Sequence, residues 1–222
     1  MSVSKATYEA LIQQLNQSKV TLVAVSKTKP VQELQQLYDF GQRHFGENYV
    51  QELTEKYSQL PADIHWHFIG HLQTNKVKFI APFVSLIHGV DSVKLLKEIN
   101  KQAEKSNRTI QVLLQMHIGR EETKFGFSKE ELEQLLSDPH LPTFAHIQVS
   151  GLMGMASFTE DADQIRKEFS YLKSVFDAYT PHEGSNIKMT VLSMGMSNDY
   201  KIAIEEGSTM VRIGSLLFGS RL

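Results

Sequence analysis

An α/β fold built as one closed (β/α)8 barrel of the TIM type, with an extra N-terminal helix, is the class this sequence predicts, on three observations. Short apolar, β-branched runs recur at 21–26, 43–46, 65–70, 84–88, 110–117, 147–153, 189–193 and 210–213, eight candidate strands in all. Stretches of helical period lie between them, at 31–40, 93–105, 129–136, 161–179 and 198–205, and such alternation makes a parallel sheet wrapped by helices. No glycine-rich dinucleotide fingerprint stands near the start, which favours a closed barrel over an open doubly wound sheet. An open sheet of similar order is the alternative.

Taken in order, residues 4–16 form the extra helix. The segment 1–17 mixes polar and apolar residues without a sustained hydrophobic stretch, so neither a secretory signal nor a membrane span is expected, and the chain is expected in the cytoplasm. The run 21–26 alternates in the manner of a strand and ends before Pro30, after which the helical stretch 31–40 begins. The strands at 43–46, 65–70 and 84–88 follow. Ser92 stands before 93–105, Ser128 before 129–136, and Asp161 opens 161–179, each a suitable cap. The stretch 198–205 is followed by Gly207, and the last strand, 210–213, opens a short helix at 216–218.

Residues 1–222 are long enough for one well-buried core and show no linker or shift of composition, so a single domain is expected. Apolar residues make up 41% and charged residues 22%, ordinary for a globular chain. The formal charge is 23 − 25 = −2 with dispersed basic residues, which does not suit nucleic acid. The chain has no cysteine. Disulfides, thiolate metal sites and thiol nucleophiles are thereby excluded.

In a barrel, chemistry gathers at the C-terminal ends of the strands. Lys27 and Lys29 follow strand one, Glu47 and Asn48 strand two, and His71 and Asn75 strand three. His88 and Asp91 follow strand four, Lys124 lies after strand five, Met155 after strand six, Ser197 after strand seven, and Gly214 and Ser215 after strand eight. Lys27 shares strand parity with Val23 and Val25, the face that points into a barrel, and Lys29 has the same parity. Partial desolvation and a second cation lower an amine's pKa, which suits imine formation. The alternative is that both lysines leave the strand end into water. Ser197 precedes a helical stretch, and Gly214 and Ser215 open another, so the two loops together suit an anion. By itself Ser197 reads more readily as an ordinary helix cap, and only the two loops together reverse that. Arg212 shares parity with Met210 and Gly214 and should face the same mouth. A guanidinium only donates hydrogen bonds, so against a pyridine it would keep the ring nitrogen unprotonated and the ring a weak electron sink. A salt bridge to a carboxylate is its other reading.

Six segments carry a resemblance: VAVSKTKP at 23–30, FGENYVQE at 45–52, WHFIGHLQTNK at 66–76, GLMGM at 151–155, LSMGMS at 192–197 and GSTMVRIG at 207–214. Their order and length resemble the pyridoxal phosphate homeostasis family nearly end to end. The resemblance implies a monomeric fold-type III barrel, similar to the N-terminal domain of alanine racemase, with pyridoxal 5′-phosphate (PLP) held as a Schiff base, an internal aldimine, on Lys27. It implies Ser197, Gly214 and Ser215 as phosphate contacts and Arg212 as partner of the pyridine nitrogen. By the same resemblance Asn48 lines the mouth, Met155 lies near the ring face, and QMHIGREETKFG at 115–126 places Lys124 as a cation near the ring hydroxyl. Racemases of this fold type use a tyrosine base from an added domain of a partner subunit. The sequence ends at Leu222 without one, so the family comparison implies a carrier or buffer of PLP that serves amino-acid and keto-acid metabolism without efficient turnover, with apo PLP-dependent enzymes as recipients.

Two rival functions stand beside this. The pair His65 and His67 has the H-x-H spacing of metal-dependent barrel hydrolases, and His88, His117 and Asp91 could complete a ligand set. The commoner role of alternating strand histidines is packing with satisfied hydrogen bonds. A weak amino-acid racemase or lyase supported by Lys27 alone is the other.

Overall fold

The computed structural model describes residues 3–119, 125–180 and 184–219. The chain opens with α1 (Lys5–Gln17), whose first turn is capped by the Ser4 hydroxyl accepting from the Thr7 amide, and which buries Tyr8, Leu11 and Leu15 along one stripe. Then follow β1 (Thr21–Val25), α2 (Val31–Asp39), β2 (His44–Glu47), α3 (Val50–Tyr57), β3 (His65–Phe68), α4 (Val77–Ile80), β4 (Leu86–Val90), α5 (Val93–Lys105), β5 (Ile110–Gln115) and α6 (Lys129–Leu136). The chain continues through β6 (Ile147–Met153), α7 (Ala162–Tyr179), β7 (Ile187–Ser193), α8 (Tyr200–Glu205), β8 (Met210–Ile213) and α9 (Ser215–Phe218).

Among the described residues the strands pair in chain order as a closed, all-parallel barrel, β8 joining β1 through Thr21 opposite Met210 and Ala24 opposite Ile213. The expected fold class is thus observed, and the open sheet is set aside. Alternation along each strand divides the core in two. Leu22, Ala24, Phe45, Trp66 and Ile87 face the helices, whereas Val23, Leu86, Leu113, Met153 and Met210 fill the barrel. Gly151 of β6 lies so close to β7 that a Cβ there would sit 1.7 Å from the Val191 carbonyl oxygen. The ladders on both sides of β6 shift register around it.

Where sequence and structure differ, the cause is local. Residues expected to begin strand four at 84 instead finish the turn after α4, with Val84 donating to the Ile80 carbonyl. The strand therefore starts at Leu86, and His88 becomes an interior strand residue rather than a loop residue. The sequence reading did not single out α3, of eight residues, or α4, of four.

Candidate functional site

The loop after β1 is built around one left-handed residue. Lys27 is half-buried beyond Val25 at the C-terminal mouth. Thr28 then takes φ 64°, which ends the strand parity. Strand parity therefore does not carry over to Lys29. Its Nζ donates to the Phe218 carbonyl at 3.0 Å and lies over the Phe218 ring, tying the loop to α9.

Both chain neighbours of Lys27 are held from behind by a buried charge cluster. The Ser26 hydroxyl donates to Glu47 Oε1 (2.6 Å) and the Thr28 amide donates to Glu52 Oε1 (2.6 Å). Lys56 Nζ joins the two, donating to the Ser26 carbonyl (2.7 Å), Glu47 Oε1 (2.7 Å) and Glu52 Oε1 (2.6 Å). Glu47 is fully buried, and burial pushes its carboxyl up from the ordinary range, against the opposing pull of Lys56. No spacing along the chain marked Lys56, which lies outside every element singled out from the sequence.

Arg212 lies inside the barrel and is 4% exposed. It donates to the Ser193 carbonyl (2.9 Å), the Ser193 hydroxyl (2.7 Å) and the Gly154 carbonyl (3.1 Å). Burial pulls its pKa down to about 10, opposed by the Asp199 carboxylate, so it stays a cation at neutral pH. Its order is thus set by carbonyls and a hydroxyl, and the salt-bridge alternative is not what holds it. Asp199 instead caps the loop after β7, accepting from the Met196 amide, and burial raises its pKa.

Ser197 is not the cap of α8; Asp199 precedes that helix. The Ser197 hydroxyl accepts from the Gly214 amide at 3.3 Å and so links the loops after β7 and β8. A Cβ at Gly214 would sit tightly against Val25, 3.1 Å from its carbonyl oxygen and 3.3 Å from its Cβ. Ser215 is exposed at the start of α9, where the Leu217 and Phe218 amides donate to the Gly214 carbonyl and those of Ser215 and Leu216 have no acceptor within the helix. Asn48 is half-buried, and its Oδ1 is buried without a hydrogen-bond partner. Met155 is half-buried against the inner core formed by Val23, Leu86, Leu113, Met153 and Met210. Lys124 lies outside the described residues.

The histidines do not assemble a metal centre. Among the described residues no group of three or more histidine or carboxylate side chains could hold an ion. His67 spends both ring nitrogens on neighbours, Nε2 with His44 Nδ1 (3.0 Å) and Nδ1 with His88 Nε2 (2.9 Å), while His65 stacks on His44. Asp91 pairs with His71 at 3.0 Å, away from that file. Burial, and then the neighbouring rings, lowers His44 to about 4 and holds His67 and His88 well below the ordinary histidine value. The H-x-H spacing thus reports interior parity, not ligation.

These residues fit an aldehyde-bearing aromatic phosphate: an amine past the end of β1, an orphaned amide oxygen past the end of β2, a donor-only cation in the interior, and two joined loops with a helix start for an anion. The comparisons agree in kind. A family model described as "Alanine racemase, N-terminal domain" matches residues 4–222. The pyridoxal phosphate homeostasis protein of Aquifex aeolicus is 42% identical over 201 residues, covering 90% of this chain and 86% of that protein. PipY of Synechococcus elongatus, solved with PLP bound, superposes with a TM-score of 0.87 at 33% identity, covering 97% of this chain and 99% of PipY. Alanine racemase from Bartonella henselae shares the fold at a TM-score of 0.70 and 16% identity, this chain spanning 59% of it.

Proposed function

The chain belongs to the pyridoxal phosphate homeostasis protein family, and from that premise we propose that it binds PLP covalently through Lys27 and carries or buffers it without efficient turnover. The bound cofactor supplies an aldehyde that an amine can capture and a pyridine ring that draws electrons when protonated. Lys27 supplies the amine, held in place by the bonds to Ser26 and Thr28 on either side of it. Ser197 and the amides around Gly214 and Ser215 hold the phosphate, Asn48 and Met155 line the ring, and Lys124 is assigned to the ring hydroxyl.

The observation that carries the low-turnover reading is the interior position of Arg212. Its three hydrogen bonds to Ser193 and Gly154 are all donated, and its pKa near 10 leaves no proton acceptor beside the ring nitrogen at neutral pH. A ring so partnered is kept unprotonated and stabilises negative charge poorly. Among the described residues no helix is long and apolar enough to cross a membrane. We propose a cytoplasmic monomer that hands PLP to apo enzymes.

Borohydride reduction of the PLP-loaded protein followed by peptide mapping tests the assignment. The label is expected on Lys27, and the visible band is expected to vanish in Lys27→Ala. A label elsewhere overturns it. Turnover of any amino acid above about 1 s⁻¹, the lower end for ordinary enzymes, overturns the carrier role in favour of a racemase or lyase.

A further inference from the structure

A file of hydrogen-bonded side chains crosses the barrel interior and ends on Arg212. It runs from His44 Nδ1 to His67 Nε2 (3.0 Å), from His67 Nδ1 to His88 Nε2 (2.9 Å), from His88 Nδ1 to Ser193 Oγ (3.1 Å), and from Ser193 Oγ to Arg212 (2.7 Å). His67, His88, Ser193 and Arg212 are all buried. The His44 end, at the start of β2, is only half-buried.

We propose that His88 is a positioning residue for Arg212, acting through the Ser193 hydroxyl, with His67 and His44 fixing its tautomer. The inference rests on the reading of Arg212 as partner of the ring nitrogen.

If every buried proton in the file is to have an acceptor, hydrogen counting sets the direction of every bond. Arg212 can only donate, so Ser193 Oγ accepts from it. The hydroxyl has one proton, and its remaining partner is His88 Nδ1. A neutral imidazole has one N–H, so His88 accepts at Nδ1 and donates from Nε2 to His67 Nδ1. His67 then donates from Nε2 to His44 Nδ1. Burial keeps the two inner rings neutral, which is the condition the counting needs.

The consequence for the site is orientational. Arg212 has two carbonyl acceptors supplied by fixed backbone, Ser193 and Gly154, and one acceptor, the Ser193 hydroxyl, whose lone pairs point wherever its proton does not. His88 takes that proton and so turns the lone pairs toward the guanidinium. This bond is the shortest of the three. Without an acceptor at the His88 position the hydroxyl rotates, and the guanidinium loses its side-chain anchor.

The test compares PLP with its carbocyclic analogue, in which C–H replaces the ring nitrogen, in the full-length protein. Wild type is expected to prefer PLP by about 10-fold or more, the worth of one charge-assisted hydrogen bond. Ser193→Ala and His88→Leu are expected to lose that preference to within about 3-fold of Arg212→Met, while binding of the analogue stays within about 3-fold of wild type. His88→Gln, whose carbonyl can still take the hydroxyl proton, is expected to restore it. Should His88→Leu not fold, Ser193→Ala, which removes one oxygen, decides alone. The proposal is overturned if folded His88→Leu or folded Ser193→Ala keeps the wild-type preference, or if both ligands weaken in parallel. If wild type itself does not discriminate, the assignment of Arg212 to the ring nitrogen falls first, a distinct result.

Discussion

Lys56→Met removes the cation that the loop of Lys27 is folded around. Lys56 and Glu47 are 5% and 0% exposed at their side chains. Without Lys56, Glu47 keeps only the Ser26 hydroxyl, because its Oε2 already lacks a partner. Breaking a buried ion pair from one side costs about 3–5 kcal/mol, a large part of the roughly 5–15 kcal/mol that holds an ordinary domain. The sign of the pH dependence follows from Glu47. Burial raises its folded pKa above the unfolded value, and loss of Lys56 raises it further. Between those two values the folded state holds a proton that the unfolded state has released, so this contribution to stability falls as pH rises, by about 1.4 kcal/mol per pH unit. The deficit of the variant relative to wild type should therefore shrink on acidification. Comparing the two cancels the titration of the histidines, which both proteins share. Urea unfolding followed by circular dichroism at several pH values measures it, and Lys56→Met combined with Glu47→Gln should recover all but about 1.5 kcal/mol, since no charge is then buried alone. A loss under about 1 kcal/mol for the single variant, or a deficit that grows in acid, would refute the reasoning.

Three further outcomes are expected. Gly151→Ala should destabilise by about 3 kcal/mol or more, because the new Cβ would lie 1.7 Å from the Val191 carbonyl and backbone on both sides must move; a melting temperature within a degree or two of wild type contradicts this. His44, His67 and His88 have folded pKa values below the unfolded one, so the unfolded chain takes up their protons first. Stability should fall as pH drops below the unfolded value, with His44 contributing down to about 4, by up to about 1.4 kcal/mol per pH unit for each ring. Asp199 and Glu47, both raised by burial, oppose it in part; a flat stability profile between pH 6 and 4 would show that the rings are protonated in the fold. Ser215→Asp places an anion at an exposed helix start without touching the Gly214 contact with Val25. It should weaken PLP by about 10-fold and leave unphosphorylated pyridoxal nearly unchanged, read by equilibrium titration; equal loss for both would move the phosphate elsewhere.

The placement of Lys27, Ser197 and Gly214 at the mouth was legible because period-2 alternation and chain order fix which strand ends meet in a parallel barrel. The partners were less legible. The reading of Lys29 as a second cation beside Lys27 assumed that parity continues past Val25, and a single left-handed residue at Thr28 ended it. Ser197 resembled a helix cap because a hydroxyl directly before a helical run has the right spacing, yet the helix begins only at Tyr200, behind Asp199, and the Ser197 hydroxyl accepts from Gly214 instead.

By itself, then, the sequence determined the architecture and the position of Lys27 just past the end of the first strand, since both follow from local pattern: apolar alternation, cap residues and motif order. Only the tertiary structure decided what surrounds them. Lys56 reaching Glu47 and Ser26, and His44, His67 and His88 aligning with Ser193 and Arg212, join residues up to 105 positions apart in one hydrogen bond. Such contacts depend on the stagger between neighbouring strands and on which buried donor finds which acceptor, and neither quantity is encoded in the spacing of residues along a single segment.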